Sequence, residues 1–448
     1  MRVQKKQLLR RVNNFQMKTI AIVGFGFCGK MVFANLAKSL NKKYKILIFD
    51  KSAEGFSSAA FAEFSPHYIL NVPTNKMSAF SDDQKSFCRF LTKNYPQILE
   101  EITEFGFAPR QIYSKYLQQI LDEALQSDLD FSLINQEVER IEKNKSQKEF
   151  LITTKNNQQF EADEIVLATS FVQSKFPWEL ESKNLVKNLW DKNYLEFHQK
   201  KFSDEKICLI GSGLTTVDVI VGLKNKNFTG KIFVISRRGN FPKKHFGLEQ
   251  RFEKLSVKVV SVDDAKKGVL FLCLKVRKFL RANPQFDLRH VVDSVRPITQ
   301  DLWHNFDEKN KKLFTRFFTY WNIFRHRAPI NSIEIIEEMI ASNQLKLLKG
   351  GVKSLTKNGD KILVETKSEK FETDYLVNCL GFEFNAKKYP LLNQMIDCDL
   401  LAQDLMMARS NHEKIHLLGG LNIGKDFECT AVPDLRSDVK KLIPILIS

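Results

Sequence analysis

The chain has 448 residues, is 43% apolar and 27% charged, and carries a formal net charge of +17. That length calls for two or three domains with an ample core, and no apolar run approaches the ~20 residues that cross a bilayer. Seven scattered cysteines with no CxxC pair argue against a disulfide framework, a zinc or other metal site and a dithiol redox centre, and for a reducing, cytoplasmic compartment.

Residues 1–16 hold Arg2, Lys5, Lys6, Arg10 and Arg11 and no acid. They lack the apolar core of a secretory signal, and Met17 would itself open a nucleotide-binding fold. This stretch reads as a flexible basic extension. The remaining positive charge is dispersed. It suits anionic cofactors and an anionic small-molecule substrate, and makes no strong case for nucleic acid. The longest apolar candidates, residues 268–276 and 442–447, are far too short for a transmembrane segment.

The run Lys18-Thr-Ile-Ala-Ile-Val-Gly24-Phe-Gly26-Phe27-Cys28-Gly29 reads as a strand, a tight glycine turn and the start of a helix. Gly24 permits the turn, Gly26 lets a pyrophosphate approach bare backbone, and Gly29 lets the helix pack against the strand. Val32, Leu36 and Leu40 continue at helical spacing, and a second strand ends at Asp50-Lys51. An acid about 20 residues past the last glycine accepts hydrogen bonds from a ribose hydroxyl. Cys28 lies at the helix N-terminus, where a thiolate is favoured, yet a small packing role suits it better.

From His67 to Asp83 an extended piece enters Asn71-Val72-Pro73 and a polar turn around Met77-Ser78, as a segment lying along a ligand would. Residues 87–105 and 112–127 have helical spacing. Two stretches then repeat one pattern. Val138 to Thr169-Ser170 and Val352 to Leu380-Gly381 each read as an antiparallel meander feeding a buried strand. In both, Phe (160, 371) precedes Asp (163, 374) by three positions, and Asp precedes a small residue (Ser170, Gly381) by seven. Two copies imply two dinucleotide-binding units closed by one device.

Between them lies a second strand and turn, Ile210-Gly211-Ser-Gly213-Leu214-Thr215-Thr216, with threonine at the third glycine position. Its next strand ends in Arg237-Arg238 rather than an acid, and arginine pairs with a 2′-phosphate. Asp50 therefore suits the adenosine of FAD, and the arginine pair suits NADPH. Residues 240–335 break the α/β rhythm as a helical insert. There Arg296, Arg325, His326 and Arg327 are concentrated enough to line an anionic substrate pocket, and equally suit structural ion pairs. Near the C-terminus a strand ends on Gly419-Gly420 before a final helix.

These stretches together resemble the bacterial FAD/NAD(P)-binding proteins and, more distantly, the two-dinucleotide flavin monooxygenases, including amine N-hydroxylases. The resemblance rests on Gly24 to Gly29, Leu70-Asn-Val-Pro with Met77-Ser-Ala-Phe, Gly211 to Thr215 with Val217-Asp218, Ser236-Arg-Arg-Gly, Val292-Asp-Ser-Val-Arg-Pro, His326-Arg-Ala-Pro and Thr430-Ala-Val-Pro. Two positions depart from such flavoproteins: Ala168-Thr169-Ser170 replaces Ala-Thr-Gly, and Gly419-Gly420 replaces Gly-Asp. The resemblance implies that Gly420 caps the flavin, that Asn71, Val72, Met77 and Ser78 approach it, and that Asn71 and Ser78 lie nearest its ring, against ordinary turn capping.

The expected fold is α/β, with two Rossmann-like dinucleotide-binding domains for FAD and NADPH, small antiparallel meanders and a helical insert. The expected division is a basic extension (1–16), a discontinuous FAD domain (17–203 and 346–448) and an NAD(P) domain (204–345) with its insert at about 240–335. The expected activity is an NADPH-using flavin monooxygenase acting on an amine or amino-acid-like substrate. A reductase or dehydrogenase that does not use oxygen, and a non-catalytic flavin-binding sensor or effector, stand as alternatives.

Overall fold

The computed structural model describes residues 17–39, 44–51, 61, 65–145, 148–169, 176–191, 195–247 and 259–448. The basic extension and Ser170 lie outside the described residues.

Apolar runs such as Lys18–Val23 and Lys206–Ile210 suit strands covered on both faces, as parallel sheets require. The first sheet orders its strands Ile415–Leu417, Glu164–Leu167, Lys18–Val23, Tyr44–Phe49 and Asp130–Ile134, all parallel. The second orders Leu345–Lys349, Lys231–Ser236, Lys206–Ile210, Tyr375–Asn378 and Leu185–Val186, also all parallel. Helices Phe27–Ser39, Arg110–Leu125 and Val432–Leu446 bury one face of the first sheet in a core that includes Ile20, Met31, Tyr113 and Leu442. The first meander and helix Pro390–Asp397 cover its other face.

The repeat read from the sequence is atomic. Asp163 accepts from the Thr19 N–H (2.7 Å) while its own N–H donates to the Thr19 carbonyl (2.8 Å). Asp374 makes the same reciprocal pair with Lys206, both at 2.8 Å. Each aspartate fixes the register of a meander strand on the strand that leads into a glycine turn. Both meanders also carry a β-bulge at the same place, between Val138 and Arg140 and between Val352 and Ser354.

Two expectations change. The division at 345/346 put the second meander with the first unit, but Tyr375–Asn378 pairs with Lys206–Ile210 in the second sheet. Leu185–Val186 joins that sheet as well. The meander belongs to the strand it feeds, so the chain returns to the first sheet's layers only with the helix Pro390–Asp397, which packs on the first meander. The helix expected over 87–105 is split into Ser86–Asn94 and Pro96–Ile102. Tyr95 leaves the helical region there (φ −146°, ψ 53°) and Pro96 opens the second helix, because proline cannot donate within a continuing helix.

Residues 269–325 form five helices with an aromatic core of their own, in which Trp303, Phe306 and Phe427 are buried. Phe427 comes from the C-terminal segment and holds φ of +60°. It stacks on Trp303 at 4.9 Å, and the Trp303 indole N–H donates to the Gly424 carbonyl (2.8 Å). The insert thus grips the loop that follows Gly419–Gly420. Trp303→Ala is expected to cost about 3–5 kcal/mol in urea unfolding, whereas Trp303→Phe, which forfeits chiefly the indole hydrogen bond, should cost about 1 kcal/mol.

Candidate functional site

At the first turn Gly24 has φ of +94°, its N–H donates to the Phe49 carbonyl (2.8 Å), and a Cβ there would lie 2.8 Å from the Ala168 oxygen. A Cβ on Gly29 would come within 2.1 Å of the Gly24 oxygen, so the helix rests directly on the turn. Gly26 differs: a Cβ there would meet nothing within 4 Å. Space is kept on the outer side of the turn, where the first N–H groups of helix Phe27–Ser39 have no partner within the helix. That is the cradle a pyrophosphate fits.

Asp50 closes the strand Tyr44–Phe49, and its carboxylate accepts from the Phe25 N–H at 2.8 Å. The turn's own backbone orients the acid, while Lys51 beside it is exposed. Lys30, which the glycine pattern does not single out, is buried in the first helical turn. Burial pulls its ammonium down to about 8, against the opposing pull of Asp50. The signal for it was a lysine on a helix face otherwise apolar.

The late loop meets this turn. Gly419 has φ of +65°, and a Cβ there would sit 3.2 Å from the Cys28 sulfur. Gly420 follows in the same short 3-10 helix, and Thr169, two residues past the strand Glu164–Leu167, lies beside Gly24. The side chains of Phe27 and Cys28 pack into the core, Phe27 edge-on to Phe61. The helix N-terminus does not make Cys28 a thiolate. Burial, reinforced by Asp438, pushes its thiol up to about 12.

In the segment 67–83 the backbone carbonyl of Asn71 accepts from His245 Nε2 (2.9 Å), and Val72 packs on the first core. Met77 is buried in that core. The Ser78 hydroxyl is fully buried and spent on the Phe80 and Asp83 carbonyls and on Ser86. The Ser78 hydroxyl therefore caps a turn, its hydrogen bonds taken by Phe80, Asp83 and Ser86, all close in sequence.

The second turn copies the first. Gly211 has φ of +111°, its N–H donates to Ile235 (2.9 Å), and a Cβ would strike the Cys379 oxygen at 2.2 Å. Gly213, like Gly26, faces open space. Thr216 is buried, and its hydroxyl donates to the Gly211 carbonyl (2.8 Å), which bridges helix and turn where the first unit uses bare glycine. Leu214 and Thr215 begin the helix Leu214–Lys224.

Beyond Lys231–Ser236, Arg237 is exposed. Arg238 lies 4.3 Å over the Tyr320 ring and donates one Nη2 bond to the Arg316 carbonyl, while its Nη1 is buried without a partner. Tyr320 and Arg316 come from the insert, far off in sequence. The helix Leu214–Lys224 docks on the first unit through the buried pair Arg110–Asp218, at 2.8 Å. Burial raises Asp218 to about 6, with Arg110 opposing.

The expected anionic pocket is charge-balanced instead. Arg327 is buried and bidentate on Asp293 (2.8 and 3.0 Å), with further bonds to Phe324 and Arg289 carbonyls. Arg325 pairs with Glu428 (2.9 Å) and Asp434 (3.6 Å), and Arg296 with Asp434 (3.6 Å). Trp321 donates to the other oxygen of Glu428 (2.7 Å). Burial, aided by Arg325, holds His326 down to about 4, so its ring is neutral near pH 7. Glu428 and Asp434, which answer Arg325 and Arg296, lie on the C-terminal segment, which counting local cations does not find.

Residues 21–172 match the FAD-NAD(P)-binding family. No curated protein matches the chain in sequence. Among solved structures, ornithine N-hydroxylase of Kutzneria sp. 744 is similar with a TM-score of 0.64 at 13% identity, over 96% of this chain and 98% of that one. L-lysine 6-monooxygenase of Pseudomonas syringae reaches 0.66 at 13% identity over the same shares. Bacillithiol disulfide reductase of Staphylococcus aureus reaches 0.51 at 12% identity, over 96% of this chain and 99% of that one. The fold is that of two-dinucleotide-domain flavoproteins, and the similar structures include both monooxygenases and a disulfide reductase. Among the described residues no helix is long and apolar enough to cross a membrane.

Three predictions follow from this turn and its surroundings. Gly26→Val should leave the melting temperature nearly unchanged and abolish FAD retention on reconstitution. Gly24→Ala should cost about 2 kcal/mol or more by forcing an L-residue to a positive φ against backbone. Asp438, half-buried in the final helix, is raised from 3.8 to about 6, chiefly by burial and then by Asp426. A carboxyl raised in the folded state binds protons more tightly there, so its cost appears as pH rises from about 4 to about 6. Asp438→Asn should therefore stabilise the protein by about 1–2 kcal/mol at pH values above about 7, and the gain should vanish below about pH 4 in chemical denaturation.

Proposed function

We propose that the chain is an FAD-dependent, NADPH-using oxidoreductase that oxygenates a small amine or amino-acid-like substrate. The observation that carries this reading is opposite chemistry on two matched turns: Asp50 follows one, and Arg237 and Arg238 follow the other. An acid accepts from a ribose diol, whereas arginine answers a 2′-phosphate.

On the first turn Gly26 admits the pyrophosphate of FAD to backbone, and the N-terminus of helix Phe27–Ser39 supplies N–H donors. The Lys30 ammonium adds positive charge nearby, and Phe25 holds Asp50 ready for the ribose. On the second, Gly213 and helix Leu214–Lys224 take the NADPH pyrophosphate. Exposed Arg237 meets the 2′-phosphate, with Arg238 next to it in the chain adding positive charge. Bound FAD would supply two-electron chemistry, accepting hydride from NADPH and passing electrons to oxygen. The aromatic insert holds in place the segment that follows the Gly419–Asn422 loop, through Gly424 and Phe427.

Cys28 favours oxygen over a disulfide as acceptor. It is the thiol seated at the flavin turn, all seven cysteines are free, and burial holds this one protonated. A thiol pushed up to about 12 is a poor nucleophile.

The test is anaerobic addition of NADPH to FAD-reconstituted protein, followed by air and a panel of primary amines and amino acids. Bleaching of the flavin absorbance and recovery of a hydroxylated amine are expected. Bleaching with oxygen reduced only to peroxide across the panel would leave a reductase or dehydrogenase, and flavin that NADPH never bleaches would leave a sensor. Arg237→Ala with Arg238→Ala should raise KM for NADPH about tenfold or more, the worth of a lost charge-assisted bond to phosphate. KM for NADH should stay unchanged in the same steady-state assay.

A further inference from the structure

The helix Val269–Ala282 is packed on one side only. Leu272, Val276, Phe279 and Leu280 lie half-buried against the insert's aromatic core, and Val269 is its one fully buried residue. On the opposite side Leu270 and Leu274 are 60% and 64% exposed, the largest exposures of any bulky apolar residue described. At 3.6 residues per turn, Leu270, Leu274, Arg277 and Arg281 fall along one line, flanked by Cys273 and Lys278. Cys273 is exposed too, and Lys267 lies over the ring of Phe271, 4.8 Å from its centroid.

The helix contains no acid. Just before it in the chain, Asp264 is held by Lys275 at 2.6 Å and the exposed Asp263 lies opposite Lys266. The outer face is thus apolar in its first half and cationic in its second. We propose that this face docks the protein on an anionic lipid bilayer, with Leu270 and Leu274 entering the interface and Arg277, Lys278 and Arg281 at the headgroups.

Charge decides the occupant. A parallel pairing of this helix with a second copy would set arginines and lysine against their own kind, and an antiparallel one would set them against leucines, in neither case with an acid on the helix to answer them. Nucleic acid would satisfy the cations and leave both leucines in water. A bilayer with anionic headgroups satisfies both halves at once, as an amphipathic surface helix requires. The chain's net charge of +17 favours the same encounter.

The experiment is flotation of the full chain with vesicles of phosphatidylcholine alone and of an equimolar phosphatidylcholine–phosphatidylglycerol mixture. Binding to the mixed vesicles, weakened by salt and much weaker on phosphatidylcholine alone, is expected. Leu270→Gln with Leu274→Gln should weaken it about tenfold or more by removing the inserted side chains. Arg277→Gln, Lys278→Gln and Arg281→Gln together should weaken it about 100-fold, the loss expected from three cations at an anionic surface. All these positions are exposed or outward-facing, so unchanged melting temperatures should accompany both losses. Wild-type protein that stays off the mixed vesicles, or binding that neither variant alters, overturns the proposal. So does a concentration-dependent dimer that the leucine variant dissolves, which would give this face to a second copy.

Discussion

One backbone hydrogen bond, made twice, organises the molecule. The N–H of a left-handed glycine donates to the carbonyl at or near the end of the next parallel strand, Gly24 to Phe49 and Gly211 to Ile235. That bond bends the chain where a Cβ would strike the meander strand, at Ala168 in one unit and Cys379 in the other. It also sets the following helix with its N-terminus at the carboxyl ends of the strands, where α/β sheets take their ligands. The paired aspartates, Asp163 and Asp374, hold the meander strands in the register this contact needs.

Much of this was legible because it is local. Glycine spacing, the acid or arginine after the second strand, and the repeated Phe–Asp interval each report on a few neighbouring residues. The fold class and both turns could be read for that reason. The sheet to which the second meander belongs depended on which strand Tyr375–Asn378 pairs with, a long-range choice that the pattern of the meander does not encode. The break at Tyr95–Pro96 was local, and the apolar spacing on either side of it masked the proline.

The residues around the site were harder to read because charge is balanced across distant segments. Arg296, Arg325 and Arg327 form a cation cluster in sequence, but Glu428, Asp434 and Asp293 answer them in space. Burial rather than the helix terminus governs Cys28, and burial also keeps His326 neutral. The Ser78 hydroxyl closes its own turn, a role that its place in the segment 67–83 does not announce. At the second site the insert lends Tyr320 and Arg316 to Arg238, a contact no motif near Arg238 announces. The aromatic clasp through Trp303 and Phe427 likewise joins the insert to the late loop across about a quarter of the chain's length.

The most direct measurement is a crystal structure of the protein grown with FAD and NADP⁺ together. The account predicts FAD with its pyrophosphate over Gly24–Gly29 and a ribose hydroxyl on Asp50, and NADP⁺ over Gly211–Thr216 with its 2′-phosphate at Arg237 and Arg238. FAD lying on the second turn, or an adenosine 2′-phosphate placed away from both arginines, would contradict it.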